Sequence, residues 1–189
     1  MGQGTPFEMV SRDAELRIAR ARELAARFPY AAEALLFYCH LAPFSGGETD
    51  LRAIVTEYGP PALRDAALTG GEPFNSFRDF MLGEHVCSEV LIANGAEYGA
   101  FCGFCARFRT VPRAQCIYCQ SSDVAFFSSE SLPHIRAQVC EQCRRYVSEV
   151  DVASDASAVA DLDEIAALPL DLWVRQSGYT KATRNWMGL

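Results

Sequence analysis

The sequence predicts an α+β protein, with an N-terminal helical domain followed by rubredoxin-like or zinc-ribbon-like metal knuckles and short C-terminal helices. Three observations predict it. Apolar residues recur at helical spacing through the first eighty-odd positions. Three Cys-x-x-Cys pairs crowd between Gly99 and Asp151 among short β-rich runs. The tail then returns to helix signals. With 189 residues, half of them hydrophobic, and a net charge of −7, the chain has globular composition, which excludes a disordered, collagen-like or membrane-embedded chain.

The helical elements follow in order. Ser11 is a candidate N-cap, and Ile18, Ala21, Ala25 and Phe28 form one apolar stripe, with the arginines of that stretch expected on a solvated face. Pro29 suits the first turn of a second helix, which runs through Leu35, Leu36 and Tyr38 toward Pro43. Cys39 on that helix reads as core. Thr49 is expected to cap a helix ending at Gly59, Pro60-Pro61 to open another ending at Gly70-Gly71, and a fifth to begin at Asn75 or Ser76. The texture changes at Asn94-Gly95, which places one domain at residues 1–94 and a metal-binding region with C-terminal helices at 95–189. Val124 to Phe127 and Tyr146 to Val150 read as strands. In the tail, Asp161 and Glu164 read as a cap signature, and Pro169 divides two short helices, the second carrying Leu170 and Trp173 as expected core.

The chemistry lies in the cysteines. Cys116-Ile-Tyr-Cys119 and Cys140-Glu-Gln-Cys143 are separated by twenty residues, the spacing at which two knuckles close four thiolates tetrahedrally on one ion. Zinc and iron both accept that set, so the ion is iron or zinc. Cys102-Gly-Phe-Cys105 is half of a similar site without a partner pair. Cys87 and His85, spaced as His-x-Cys, are its nearby candidate ligands, which leaves a second ion open. The competing reading makes Cys87 a buried structural thiol in the apolar run from Val86 to Ala93, and Cys102 and Cys105 a labile dithiol.

Other function classes find less support. The N-terminal residues show no apolar signal segment, so the thiols are expected to stay reduced in the cytoplasm. No apolar run approaches membrane-spanning length, and no membrane insertion is expected. From Cys102 to Asp151 six arginines meet five carboxylates, too even a balance for a nucleic-acid stripe. There is no nucleotide-binding loop or nucleophile elbow, and four thiolates leave an ion no open position, so the chain is not read as an enzyme. His134 reads as a loop histidine hydrogen-bonded locally.

Several stretches resemble one family. Leu132-Pro-His-Ile-Arg136, Cys140-x-x-Cys143-x-x-Tyr146, Val150-Asp151, Asp163-Glu-Ile-Ala-Ala-Leu-Pro-Leu-Asp-Leu-Trp173, Gly178-Tyr-Thr-Lys181 and Asn185 are similar to the C-terminal part of the FdhE family, the formate dehydrogenase accessory proteins. Arg27-Phe-Pro-Tyr-Ala-Ala-Glu33 through Leu36-Phe-Tyr38 resembles that family's N-terminal helical segment. The resemblance implies a cytoplasmic protein with two rubredoxin-like knuckle pairs that bind iron. It implies a role in maturing the catalytic subunit of a molybdenum- or tungsten-dependent formate dehydrogenase, which would be the partner. The chain departs from the family where a first Cys-Pro-x-Cys-Gly knuckle is expected, near Glu84 to Gly95, and where Arg107-Phe108-Arg109 replaces Thr-Glu-Trp. The four-cysteine site carries over onto Cys116, Cys119, Cys140 and Cys143, and the first site does not. The alternatives are a rubredoxin-like one-electron carrier and, behind it, a nucleic-acid-binding zinc ribbon.

Overall fold

A computed structural model describes residues 13–82, 87–103, 105, 107–183 and 185. Contacts divide the chain into two compact units that part between Val86 and Cys87. Asn94-Gly95, the boundary expected from the change of texture, lies at the tip of a β-hairpin inside the second unit.

The first unit is helical. Helix α1 spans Ala14–Arg27, a 3-10 turn Pro29–Ala31, α2 Ala32–Leu41, α3 Glu48–Tyr58, α4 Pro61–Thr69 and α5 Phe74–Leu82. Asp13, not Ser11, caps α1: its Oδ1 accepts from the backbone N–H of Glu15 and Leu16, a cap of about 1 kcal/mol. Ser11 lies outside the described residues. The core is built from Ala21, Leu24, Leu35, Phe37, Leu51, Val55 and Phe74, all essentially inaccessible. Two arginines of α1 break the expectation of a solvated face. Arg17 and Arg20 are buried, Arg17 donating to the Tyr38 hydroxyl and Arg20 to Glu23 at 3.0 Å, because their long stems cover apolar surface while their heads reach partners. Gly47 rather than Thr49 precedes α3, its N–H donating to Asp50 at 3.4 Å. Gly70 ends α4 at φ +72°, a left-handed position suited to glycine.

The second unit is a mixed sheet. Its strands are β1 (Glu89–Asn94), β2 (Glu97–Cys102), β3 (Phe108–Thr110), β4 (Val124–Ser129), β5 (Leu132–Cys140), β6 (Arg145–Asp151) and β7 (Thr180–Lys181). They lie in the order β3-β2-β1-β6-β5-β4, with β7 parallel on β6 and the β1–β6 pair also parallel. Helices α6 (Ala160–Ala166) and α7 (Leu168–Gln176) cover one face, α6 against β1 and β6 and α7 against β4 and β5. Side chains alternate across strands, so Leu91, Ala93, Tyr98, Ala100 and Val147 fall on the opposite face with Val111. Ile117, from the first knuckle of the four-cysteine set, packs on that cluster. The sheet thus carries helices on one side and a knuckle on the other.

Pro169 opens α7 as expected, but two tail readings need correction. Val159 precedes α6 without a side-chain hydrogen bond, and it is Asp163, not Glu164, whose carboxylate returns to the Val159 N–H at 2.8 Å. Leu170 and Val174 are buried, whereas Trp173 is half exposed and packs edge-on against Phe127, with ring centroids 4.8 Å apart. Position 173 falls at the margin of the buried face set by Leu170 and Val174, which leaves half of the indole exposed.

Candidate metal centre

Cys116 and Cys119 sit in the loop between β3 and β4, and Cys140 and Cys143 in the turn that joins β5 to β6. The two knuckles fold alike. In each, the residue after the second cysteine returns its N–H to the carbonyl of the first: Gln120 to Cys116 at 2.9 Å and Arg144 to Cys140 at 3.0 Å. That turn drives both residues left-handed, Gln120 to φ +63° and Arg144 to φ +56°, positions that usually favour glycine. Arg144 is held there by Glu141 at 2.6 Å, the Ser177 carbonyl at 3.1 Å and the face of the Tyr179 ring.

This geometry brings together all four cysteines that the spacing singled out. Cys116 Sγ lies 3.7 Å from Cys143 Sγ and Cys119 Sγ 3.5 Å from Cys140 Sγ, with all four sulfurs within 4.8 Å of one another. A tetrahedral ion with bonds of about 2.3 Å to sulfur has sulfur–sulfur edges of about 3.8 Å, so the donor set fits one ion closed by four thiolates. A disulfide would need about 2.05 Å. Cys116 and Cys140 are buried, Cys143 is half-buried and Cys119 is exposed, so one edge of the cluster meets solvent. The Ser121 backbone N–H lowers Cys119 to about 7, while loss of water raises Cys140 and pushes Cys143 up to about 12.

Cys87, Cys102 and Cys105 form a second cluster, their sulfurs within 4.8 Å of one another and Cys87 Sγ 3.7 Å from Cys105 Sγ. Cys87 is therefore no buried core thiol. It is half-buried, and loss of water followed by the neighbouring Cys105 thiol raises it to about 11. Hairpin register is the cause: β1 pairs Glu89 with Cys102, so the chain just before β1 runs back along the Cys102–Cys105 turn. His85 lies outside the described residues. Gly103, between the two knuckle cysteines, is required by packing, since a Cβ there would sit 2.4 Å from Asp161 Oδ2 of α6.

Sequence reasoning missed three buried polar assemblies, because each joins residues distant in the chain. His134 is on β5, not a locally bonded loop residue, and its Nε2 lies 2.9 Å from Asp163 Oδ1. Buried Glu149 accepts from Arg136 at 2.6 Å and from the Tyr98 hydroxyl at 2.8 Å, and burial, then that carboxylate, raises the Tyr98 phenol. Lys181, the chain's single lysine, meets Asp171 at 2.7 Å and Glu164 at 3.2 Å. A polar cleft beside His134 is lined by Arg113, Arg136, Glu149 and Asp151. Its charges are already engaged: Arg136 pairs with Glu149, Arg113 donates to the Gly95 and Glu97 carbonyls, and Asp151 accepts from the Ala153 N–H. Among the described residues, no helix is long and apolar enough to cross a membrane.

With this geometry in view, the comparisons with known proteins are direct. Residues 114–187, which hold the four-cysteine cluster, match the family described as FdhE, C-terminal domain. A protein FdhE homolog of Aquifex aeolicus (strain VF5) is 34% identical over 90 residues, 46% of this chain and 32% of the relative. One of Pseudomonas putida KT2440 is 34% identical over 101 residues, 50% of this chain and 31% of the relative. The chain thus spans about a third of the length of the curated relatives it matches. The fold is similar to the crystal structure of the FdhE protein from Pseudomonas aeruginosa, with a TM-score of 0.64 at 15% identity over 98% of this chain and 97% of that one. Residues 114–187 are thus similar to the C-terminal domain of the FdhE family, and the chain has a fold of the same kind as the Pseudomonas aeruginosa protein.

Proposed function

We propose that this chain is an accessory protein for assembly of the catalytic subunit of a molybdenum- or tungsten-dependent formate dehydrogenase, acting in the cytoplasm and docking through its metal-stapled unit. The observation that carries the reading is that the family match and the four-thiol cluster occupy the same stretch, residues 114–187. Cys116, Cys119, Cys140 and Cys143 would hold iron or zinc. With its four positions filled by thiolates, such an ion braces the fold and offers substrate no coordination position. The protein thus acts on a partner polypeptide rather than as an enzyme on formate. Anaerobic affinity purification of the tagged chain from its host tests this. Enrichment of a formate dehydrogenase catalytic subunit supports the reading, and a preparation lacking it, from cells that express that enzyme, overturns it.

One observation favours a second reading. Cys119 is exposed, so the ion would meet solvent through one thiolate, an arrangement suited to exchange of single electrons in a rubredoxin-like carrier. Visible absorption that bleaches on reduction supports that reading, and a colourless zinc protein as isolated removes it.

A further inference from the structure

We propose that the outer edge of β4 takes an extended segment of a partner polypeptide as an added strand, a segment of about six uncharged residues with a basic residue at each end. The inference rests on the accessory reading only in making the partner a polypeptide. Its test uses defined peptides, so it can fail while that reading stands.

Three observations carry it. The first is an outward-facing hydrogen-bonding edge. Among the described residues β4 is the last strand of the sheet, paired with β5 on one side. The Glu141 N–H donates to the Asp123 carbonyl at 3.0 Å, which makes that facing pair a hydrogen-bonded one. Bonded and non-bonded pairs alternate along an antiparallel ladder, and the register is regular from Val124 to Ser128. Ala125 and Phe127 therefore direct their backbone groups to β5. The Phe126 N–H and carbonyl point outward, between the Val124 carbonyl and the Ser128 N–H. Ala125, Phe126 and Ser128 are exposed.

The second is the composition of that edge. Edge strands are ordinarily blunted by charge, shortness or a bulge. The opposite edge, β3, has three residues and carries Arg109 in an ion pair with Glu89 at 2.7 Å. β4 has six and reads Val-Ala-Phe-Phe-Ser-Ser, without a charge. Phe126 and Phe127 alternate to opposite faces, Phe126 under the Arg136 guanidinium and Phe127 against half-exposed Trp173. An added strand would meet an aromatic ring on each face.

The third is charge, and it selects the occupant. Asp123 and Glu130, both exposed, bracket the strand, with the six residues of β4 between them. Antiparallel pairing of two copies through this edge would set each copy's Asp123 beside the other's Glu130 at both ends, and like charges facing across strands repel. A segment with Lys or Arg at the same spacing meets a carboxylate at each end instead.

The test measures binding of fluorescein-labelled peptides to the full chain, purified anaerobically, by fluorescence anisotropy. The first probe is six alternating valine and threonine residues with a lysine at each end. It should bind saturably, and more weakly as salt is raised. The same core with glutamate at each end should bind about tenfold more weakly. Methylating the backbone nitrogens of alternate core residues should abolish binding in one alternation and spare it in the other, because one set alone faces the edge. In the protein carrying Asp123→Lys and Glu130→Lys together, the preference between the two peptides should reverse. Phe126→Pro, which removes one outward N–H and leaves the β5 ladder intact, should abolish binding with circular dichroism unchanged. No binding of the lysine peptide, equal affinity for both peptides, or a charge-reversed protein that still prefers lysine overturns the proposal. So does a wild-type protein that sediments as a dimer and becomes monomeric in Phe126→Pro, since a second copy would then fill the edge.

Discussion

The ammonium of Lys181 donates to Asp171 Oδ1 across 2.7 Å in an interior where both side chains are almost fully withdrawn from water. Glu164, 3.2 Å from the same nitrogen, makes the arrangement one cation against two carboxylates. Burial pulls the lysine down, but Glu164 and Asp171 together outweigh it and hold its ammonium above the ordinary range. For Glu164 burial prevails over Lys181, and its carboxyl is raised. The triad ties β7 to both helices that cover the sheet.

Replacing Lys181 with Met should destabilise the second unit by about 3 kcal/mol, because two buried carboxylates lose their counter-charge. A raised carboxyl keeps its proton longer folded than unfolded, so the variant should lose stability as pH rises through and above the ordinary carboxylate value of 4.5. In the wild-type protein the raised lysine contributes stability that is full below about pH 10.4 and is lost as pH rises through its folded value. Urea unfolding at several pH values checks both slopes.

Cys140→Ser removes a buried thiol of the proposed metal site at the end of β5. Because structural metal binding is coupled to folding, the variant should lose the ion of the four-thiol cluster and unfold the second unit cooperatively. Chelation of the wild-type protein should do the same. Metal analysis with circular dichroism decides it, and a variant that stays folded with that ion bound contradicts the structural role.

The two left-handed knuckle residues should respond in opposite ways to glycine. Gln120 is exposed and takes φ +63° with a Cβ, so Gln120→Gly should relieve strain and stabilise by a few tenths to about 1 kcal/mol after the added chain entropy of glycine. Arg144→Gly relieves similar strain but deletes the contacts with Glu141, Ser177 and Tyr179, and should destabilise by about 1 kcal/mol. Thermal melts of the metal-loaded proteins compare them.

Asp163 serves two partners at once, the Val159 N–H that starts α6 and the His134 ring on β5. Asp163→Ala should cost about 2–3 kcal/mol by leaving both buried groups unpaired. Asp163→Asn, which keeps one acceptor oxygen, should cost less. Denaturant midpoints of the two variants read the difference directly.

How much was legible in the sequence follows from how far apart the cooperating residues lie. The four-thiol cluster is built from two local turns whose spacing alone identifies them, and helix stops such as Gly70 are equally local. Cys87 was open because its place depends on hairpin register, which pairs Glu89 with Cys102 and which no pattern around Cys87 encodes. His134 was misread as local because its partner lies 29 residues away on α6. Arg17 and Arg20 were assigned to solvent because residue type does not say which arginines will find a buried acceptor. Lys181 was visible only as a lone lysine, since the two carboxylates it neutralises come from separate helices.

The parallel pairing of β1 with β6 joins Leu91 to Glu149, a contact the chain must close across a long intervening loop. An ion clamping residues 116–119 to 140–143 cuts the corner of that loop, removing about twenty residues from its effective length and about 0.5 kcal/mol from the entropic cost of closure. An ion bound there would thus shape the order of folding as well as its end point. Where it binds early, the β4–β5–β6 ribbon is drawn together first, and the β1–β2 hairpin, carrying its own thiol cluster, docks onto an edge already formed.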